Sequence, residues 1–255
     1  MTSDPVHLAL AGGAAFAAGA INAIAGGGSL ITFPTLVALG LSPVTASITN
    51  TVALCPGYLG AALGQRRDLA GQRRRASLVL PVAVAGGVAG AFLLLHTDER
   101  AFDLVVPFLL LVAAILVGAQ EPLGRWLFGR ERARRSEAWA MLPVALAGIY
   151  GGYFGAGMGV MILAALGIVL ADSLVRINAL KQLVSLCVNV AAAVVFLGSG
   201  RIEWPFVGVM AVTALGGGAL GGRIASRIPA RALRRLIVVL GVVLAVVYFV
   251  KWLQR

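Results

Sequence analysis

Apolar residues run along this chain in long blocks: His7–Leu41, Pro43–Leu63, Ala76–His96 and Ala101–Ala119, then Ala138–Leu170, Leu174–Leu197, Trp204–Leu220 and Leu236–Val250. Blocks of roughly 20 residues built from Leu, Val, Ala and Gly predict membrane-crossing helices; a membrane β-barrel would alternate apolar and polar positions. Two blocks are longer than one crossing needs, and glycine interrupts both. The first break is "AIAGGGSLITFP", Ala23 to Pro34, and the second is "GGYFGAGMG", Gly151 to Gly159.

The order repeats: a glycine-broken block, then three unbroken ones. This divides the chain into a first repeat, residues 1–119, a basic linker, 120–137, and a second repeat, 138–255. "GQRRDLAG" and "GSGRIEWP" follow equivalent blocks, and Cys55 and Cys187 occupy equivalent places. Loop charges orient the halves. Arg66, Arg67, Arg73, Arg74 and Arg75 follow the second block of the first half, whereas in the second half Arg223, Arg227, Arg231, Arg234 and Arg235 follow the third. Because cytoplasmic loops collect Arg and Lys, this exchange predicts an inverted-topology repeat. Arg125, Arg130, Arg132, Arg134, Arg135 and Arg176 then also lie inside, and Arg100, Arg201, Lys251 and Arg255 outside. Inversion requires an odd number of crossings per half. Each broken block is therefore expected to turn back as a re-entrant helical hairpin, with the two tips meeting near the midplane and the first hairpin entering from outside.

Composition agrees with this reading. The 255 residues are 60% hydrophobic and 12% charged, against roughly 25% charged in a soluble domain, and mean hydropathy is +0.94. A net charge of +11 would suggest nucleic acid in a soluble protein; here it records loop topology, and no nucleic-acid partner is expected. "MTSDPVHLAL" has no basic n-region, so insertion by the first apolar block is expected instead of a cleaved signal peptide. Cys55 and Cys187, both inside apolar blocks, provide neither a disulfide framework nor a zinc site, and no metal or cofactor is expected.

The chemistry is expected at the glycine breaks. The half-helices Leu30–Leu41 and Val160–Leu170 begin there, so each directs unpaired backbone N–H groups and the positive end of its dipole at the membrane interior. Two such ends facing one another suit an anion. Gly26, Gly27 and Gly28, and Gly155, Gly157 and Gly159, would allow close approach, and Ser29 would cap or donate. The plainer alternative is close helix packing by small residues. After each hairpin comes a polar stretch, "TASITNT" (Thr45–Thr51) and "INALKQLVSLCVN" (Ile177–Asn189). Thr49, Asn50, Asn178, Gln182 and Asn189 could donate to oxyanion oxygens or bond across helices. Lys181, the basic residue well inside a block, could neutralise an anion or snorkel to the surface.

Asp103, Asp172 and Glu203 fall at block ends, so a carboxylate proton relay is not expected. The absence of HExxH, P-loop, GxSxG and Cys–His patterns leaves no residue set for ATP-driven transport or intramembrane hydrolysis, and the chain is not expected to be an enzyme.

"GAINAIAGGGSLITFPTLVALGLSPVTASITNT" and "GYLGAALGQRRDL", echoed by "GIYGGYFGAGMGVMILAALG", "RINALKQLVSLCVN" and "GSGRIEW", resemble the sulfite exporter TauE/SafE family along nearly the whole chain. The resemblance implies a multi-pass permease of the bacterial cytoplasmic membrane that moves small sulfur-containing anions, often outward. It maps Gly26–Ser29 and Gly155, Gly157 and Gly159 onto the glycine signatures, and Thr49, Asn50, Asn178 and Lys181 onto the polar ones. Asn22 stands where an acidic residue is frequent in the family and Thr51 where a basic one is common, so carboxylate-dependent coupling does not carry over. The expectation is an all-α secondary transporter of sulfite or organosulfonates working by alternating access, with an anion channel or a carboxylate carrier as alternatives. Its partners would be the small anion, the bilayer and, as a candidate, a second copy of the chain.

Overall fold

The computed structural model describes residues 4–128 and 136–224, together with 238, 239, 241–243, 245, 246 and 249. Most of the expected last span, residues 129–135 of the linker, and Arg227, Arg231, Arg234, Arg235, Lys251 and Arg255 lie outside the described residues. The described residues are helical throughout their apolar blocks: α1 (Pro5–Ile24), α2 (Ser29–Ala38), α3 (Pro43–Gly64), α4 (Arg66–Leu69), α5 (Arg73–His96), α6 (Glu99–Phe128), α7 (Met141–Tyr153, preceded by a 3₁₀ turn at Glu137–Ala140), α8 (Met158–Val169), α9 (Leu174–Phe196) and α10 (Trp204–Ile224). Among the described residues five stretches are long and apolar enough to cross a membrane: Pro5–Ile24, Arg73–His96, Glu99–Ala119, Leu174–Ser199 and Trp204–Ile224. Helix α3, at 22 residues, is also long enough, but Thr45, Ser47, Thr49, Asn50 and Thr51 make its first half polar.

Local chemistry sets the helix starts. Asp4 and Ser42 cap α1 and α3 ahead of Pro5 and Pro43, and Ser173 caps α9 by accepting from Arg176 N–H at 3.4 Å. A side-chain oxygen there satisfies a first-turn donor, and proline loses no bond because its missing N–H would have been unpaired.

Small residues decide how the helices pack. Helix α10 lies along α1 and α3, and α5 lies along α7 and α9. Gly19 faces Ala214 and Gly218, Gly217 faces Phe16, and Gly218 faces Gly57. In the other group Gly86 faces Ala145 and Gly148, Gly90 faces Ile149 and Gly152, and Gly87 faces Val188. Added Cβ atoms at these positions would collide with backbone. In a bilayer, where lipid competes with apolar side chains for helix surfaces, such close backbone approach is a main source of association. The register shows α1 and α3 running parallel to α10, since Gly12 faces Val209 and Ala20 faces Gly221, while Gly57 faces Ala214 and Gly64 faces Gly222.

The broken helix of the second half turns back on itself. Glu137, just before α7, and Asp172, just after α8, both bond the guanidinium of Arg75. Both ends of the segment from Glu137 to Asp172 therefore meet at one side chain. Arg176 Nε bonds the same carboxylate at 3.0 Å and its Nη2 donates to the Ala70 carbonyl at 3.1 Å, while Gln72 Nε2 donates to the Arg176 carbonyl at 2.9 Å. These contacts, with Gly64 against Arg223, gather Arg66, Arg67, Arg73–Arg75, Arg176 and Arg223 at one end of the bundle. Arg201 pairs with Glu99 at the opposite end, at 3.7 Å.

Candidate anion site at the hairpin tips

At the first tip most of the main-chain polar groups are paired within the tip itself. After α1, Ala25 and Gly26 N–H both bond the Ile21 carbonyl, and the chain reverses through Gly26 and Gly27 at φ of +78° and +93°. These left-handed values are costly for any residue with a Cβ. Gly28 N–H then bonds Asn22 Oδ1 at 2.7 Å. Leu30 and Ile31 N–H fold back on the Gly27 and Gly28 carbonyls at 3.0 and 2.9 Å. So most first-turn donors of α2, expected to stand unpaired toward a ligand, are engaged within the tip. Ser29 is buried at the first position of α2.

The last carbonyls of α1 have no intrahelical donors, and α9 supplies them. Lys181 Nζ donates to Asn22 O at 3.1 Å; Gln182 Nε2 donates to Asn22 O at 3.0 Å and Ala23 O at 2.9 Å. Asn178 Nδ2 donates to Ala23 O at 3.0 Å and to Gln65 Oε1 at 2.8 Å. A cation at a helix C-terminus also complements the dipole. Lys181 is 0% exposed, so it does not snorkel.

The second tip is built differently. Phe154 and Gly155 N–H bond the Tyr150 carbonyl, Gly155 and Gly157 take φ of +79° and +78°, and the Tyr150 hydroxyl donates to Ala156 O at 2.7 Å. Met158 and Val160 N–H bond the Gly155 and Gly157 carbonyls. Phe154 packs edge-on to Phe33 of α2, with ring centroids 5.1 Å apart.

The tips touch. A Cβ on Gly26 would lie 3.3 Å from Val160 N, and a Cβ on Gly159 would lie 3.4 Å from Gly26 Cα and 3.7 Å from Lys181 Cδ. Lys181 thus runs its stem past the second tip and sets its ammonium on the first.

The structure unites Asn22, Gly26, Gly27, Gly28, Ser29, Gly155, Gly157, Gly159, Asn178, Lys181 and Gln182 around these tips. Thr49 is elsewhere. Its hydroxyl accepts from Glu203 N–H at 3.2 Å, roughly 24 Å along α3 from Gln65. Asn50 neighbours Thr49, and its buried Oδ1 has no partner among the described residues. Cys55 and Cys187 are half-buried free thiols. Sequence reasoning missed Gln65, Tyr150 and Ser185; only Ser185 carried a signal, one turn after Lys181 in the polar stretch.

Helices broken at glycine and meeting inside a bundle of apolar helices define the class, a multi-pass membrane transporter. The chain belongs to the sulfite exporter TauE/SafE family, whose description matches residues 11–248. It is 31% identical over 208 residues to a probable membrane transporter protein of Haemophilus influenzae (81% of this chain, 80% of the relative). It is 27% identical over 207 residues to the probable membrane transporter protein YfcA of Escherichia coli K12 (81% and 76%), and 29% identical over 192 residues to the probable membrane transporter protein ORF9 of Sinorhizobium sp. (75% and 72%). No solved structure matches the chain.

Proposed function

We propose that this protein is a secondary transporter of small sulfur oxyanions, sulfite or an organosulfonate, moving them outward across the bacterial cytoplasmic membrane. The observation that carries the reading is Lys181, wholly buried where the two broken helices meet. A positive charge so far from water is costly and marks a functional position. Gln182 and Asn178 flank it on α9, and among the described residues Asp68, Asp98, Glu99, Asp103, Glu137, Asp172 and Glu203 sit at or near helix ends.

The inverted repeat, with halves 1–119 and 138–255, fits the exchanged packing. Each half's fourth helix lies on the other half's first and third, as α10 does on α1 and α3 and α5 does on α7 and α9 once α4 is set aside as a short connector. The gathering of Arg66–Arg75, Arg176 and Arg223 at one end fits a cytoplasmic face there, and the meeting of Glu137 and Asp172 on Arg75 fits a re-entrant second hairpin. Alternating access would move one half against the other about the tips. The ion pairs at one end and the Arg201–Glu99 pair at the other would form and break in alternation.

Counterflow of labelled sulfite in proteoliposomes tests the proposal. Saturable exchange supports a carrier. Unsaturable flux would point to a channel, and exchange of small carboxylates in place of sulfite would move the substrate class.

A further inference from the structure

Serine and threonine hydroxyls inside buried helices ordinarily bond a carbonyl one turn back on their own helix. Thr35, Thr51 and Thr213 do so, to Ile31, Ser47 and Val209. Ser185, like Thr32 and Ser47, departs from this habit. It lies four residues after Lys181 and is 0% exposed, yet its Oγ has no partner among the described residues. Asn189 Nδ2 donates to the Ser185 carbonyl at 2.9 Å, so that side chain engages the main chain of Ser185 and leaves its hydroxyl unengaged.

Three residues before it, Gln182 shows the complementary feature. Its amide nitrogen faces two carbonyls, Asn22 O and Ala23 O. Only the NH₂ side of an amide can do this, which fixes the orientation that is ordinarily ambiguous. The other side, Oε1, is therefore a committed acceptor, and it too is buried without a partner among the described residues. Positions 182 and 185 share one face of α9, with Cβ atoms roughly 5–6 Å apart. Lys181 is the adjacent charge.

An acceptor that cannot donate repels a fully deprotonated oxyanion. It suits an O–H or N–H. Resting on the anion-transport reading, we infer that the site takes a singly charged anionic group on a molecule that itself carries a hydrogen-bond donor. The anionic group lies toward Lys181, and the donor bonds Gln182 Oε1 and Ser185 Oγ. Hydrogensulfite, or a sulfonate bearing a hydroxyl or ammonium, has this chemistry; sulfate and simple alkanesulfonates do not.

The test varies the ligand first and needs no variant. Purified full-length protein in detergent is titrated at one mildly acidic pH, where sulfite is mostly singly protonated. The ligands are hydrogensulfite, sulfate, ethanesulfonate, 2-hydroxyethanesulfonate and 2-aminoethanesulfonate. At least one donor-bearing ligand is expected to bind about tenfold tighter than its donor-free counterpart, the size of one buried hydrogen bond. Ser185→Ala is expected to reduce that preference to about threefold, while its melting temperature stays level or rises because an unsatisfied buried hydroxyl has gone. Equal binding of donor-bearing and donor-free anions overturns the inference and leaves anion transport standing. A wild-type protein that binds none of the five overturns both. Ser185→Ala with unchanged preference removes Ser185 from the site.

Discussion

The ammonium of Lys181 on α9 lies 3.1 Å from the main-chain oxygen of Asn22, two residues before the end of α1. One side chain of the second half therefore closes the open end of a broken helix in the first. The Asn22 side chain works in the other direction, its Oδ1 taking the Gly28 N–H at 2.7 Å. Between them these two residues resolve the problem a glycine break creates inside a membrane, since carbonyls at the end of one helix and N–H groups at the start of the next cannot be left to lipid. On the proposed function, an anion that reached Lys181 would share or displace its bond to α1, and binding would be coupled to the position of the first hairpin.

Asn22→Ala leaves Gly28 N–H buried without an acceptor and is expected to lower stability by about 1–3 kcal/mol. Asn22→Asp keeps the acceptor and should recover most of that loss. Thermal unfolding of the two variants in one detergent checks the order; equal destabilisation by both would remove the capping role.

Two glycines at the tips should respond differently to alanine. A Cβ on Gly28 collides with the Ala18 carbonyl of α1, a backbone atom that cannot swing aside, so Gly28→Ala is expected to fail to accumulate as folded protein. A Cβ on Gly159 meets Gly26 Cα at 3.4 Å and the Lys181 stem at 3.7–3.8 Å, ordinary contact, so Gly159→Ala should fold. Size-exclusion profiles after matched expression distinguish them.

The Arg75–Asp172–Arg176 cluster is expected to weaken in acid. Partial burial alone would push the Asp172 carboxyl up, but hydrogen bonds from Arg75, Arg176 and Ser173 N–H hold it below the ordinary carboxylate range. A carboxyl lowered on folding contributes stability at neutral pH, keeps it down to the ordinary Asp value of about 3.9, and loses it progressively as pH falls from there through the lowered one. Melting temperature should therefore drop at low pH more steeply in the wild type than in Asp172→Asn, which lacks the carboxylate at every pH. Parallel pH profiles would contradict this.

How much of this was legible beforehand follows from physical scale. The half-helices expected at Leu30–Leu41 and Val160–Leu170 are found at Ser29–Ala38 and Met158–Val169, because glycine breaks and run lengths act locally. The repeated glycine break predicts tips that meet, and they touch at Gly26 and Gly159. The hydrogen bonds did not. Nothing in "INALKQL" says that Asn178, Lys181 and Gln182 will donate to α1 carbonyls more than 150 residues away, since that depends on the packing of α9 against the opposite half. The same blindness grouped Thr49 with the tips on its neighbourhood in sequence, whereas position along α3 carries it to the Glu203 end. The expectation of unpaired N–H groups failed at most of the first turn of α2 because the preceding loop itself supplies acceptors.

The measurement that bears most directly on the account is sulfite counterflow by Lys181→Met in proteoliposomes beside the wild type. Methionine keeps much of the apolar stem against Gly159 and removes the charge, and Asn22 O retains its bond from Gln182, so the variant should reconstitute normally with stability changed by no more than about 1 kcal/mol. Exchange is expected to fall at least about 100-fold, as befits loss of a buried charge–anion contact worth roughly 3 kcal/mol. Normal reconstitution with wild-type exchange and affinity would contradict an anion site at the hairpin tips.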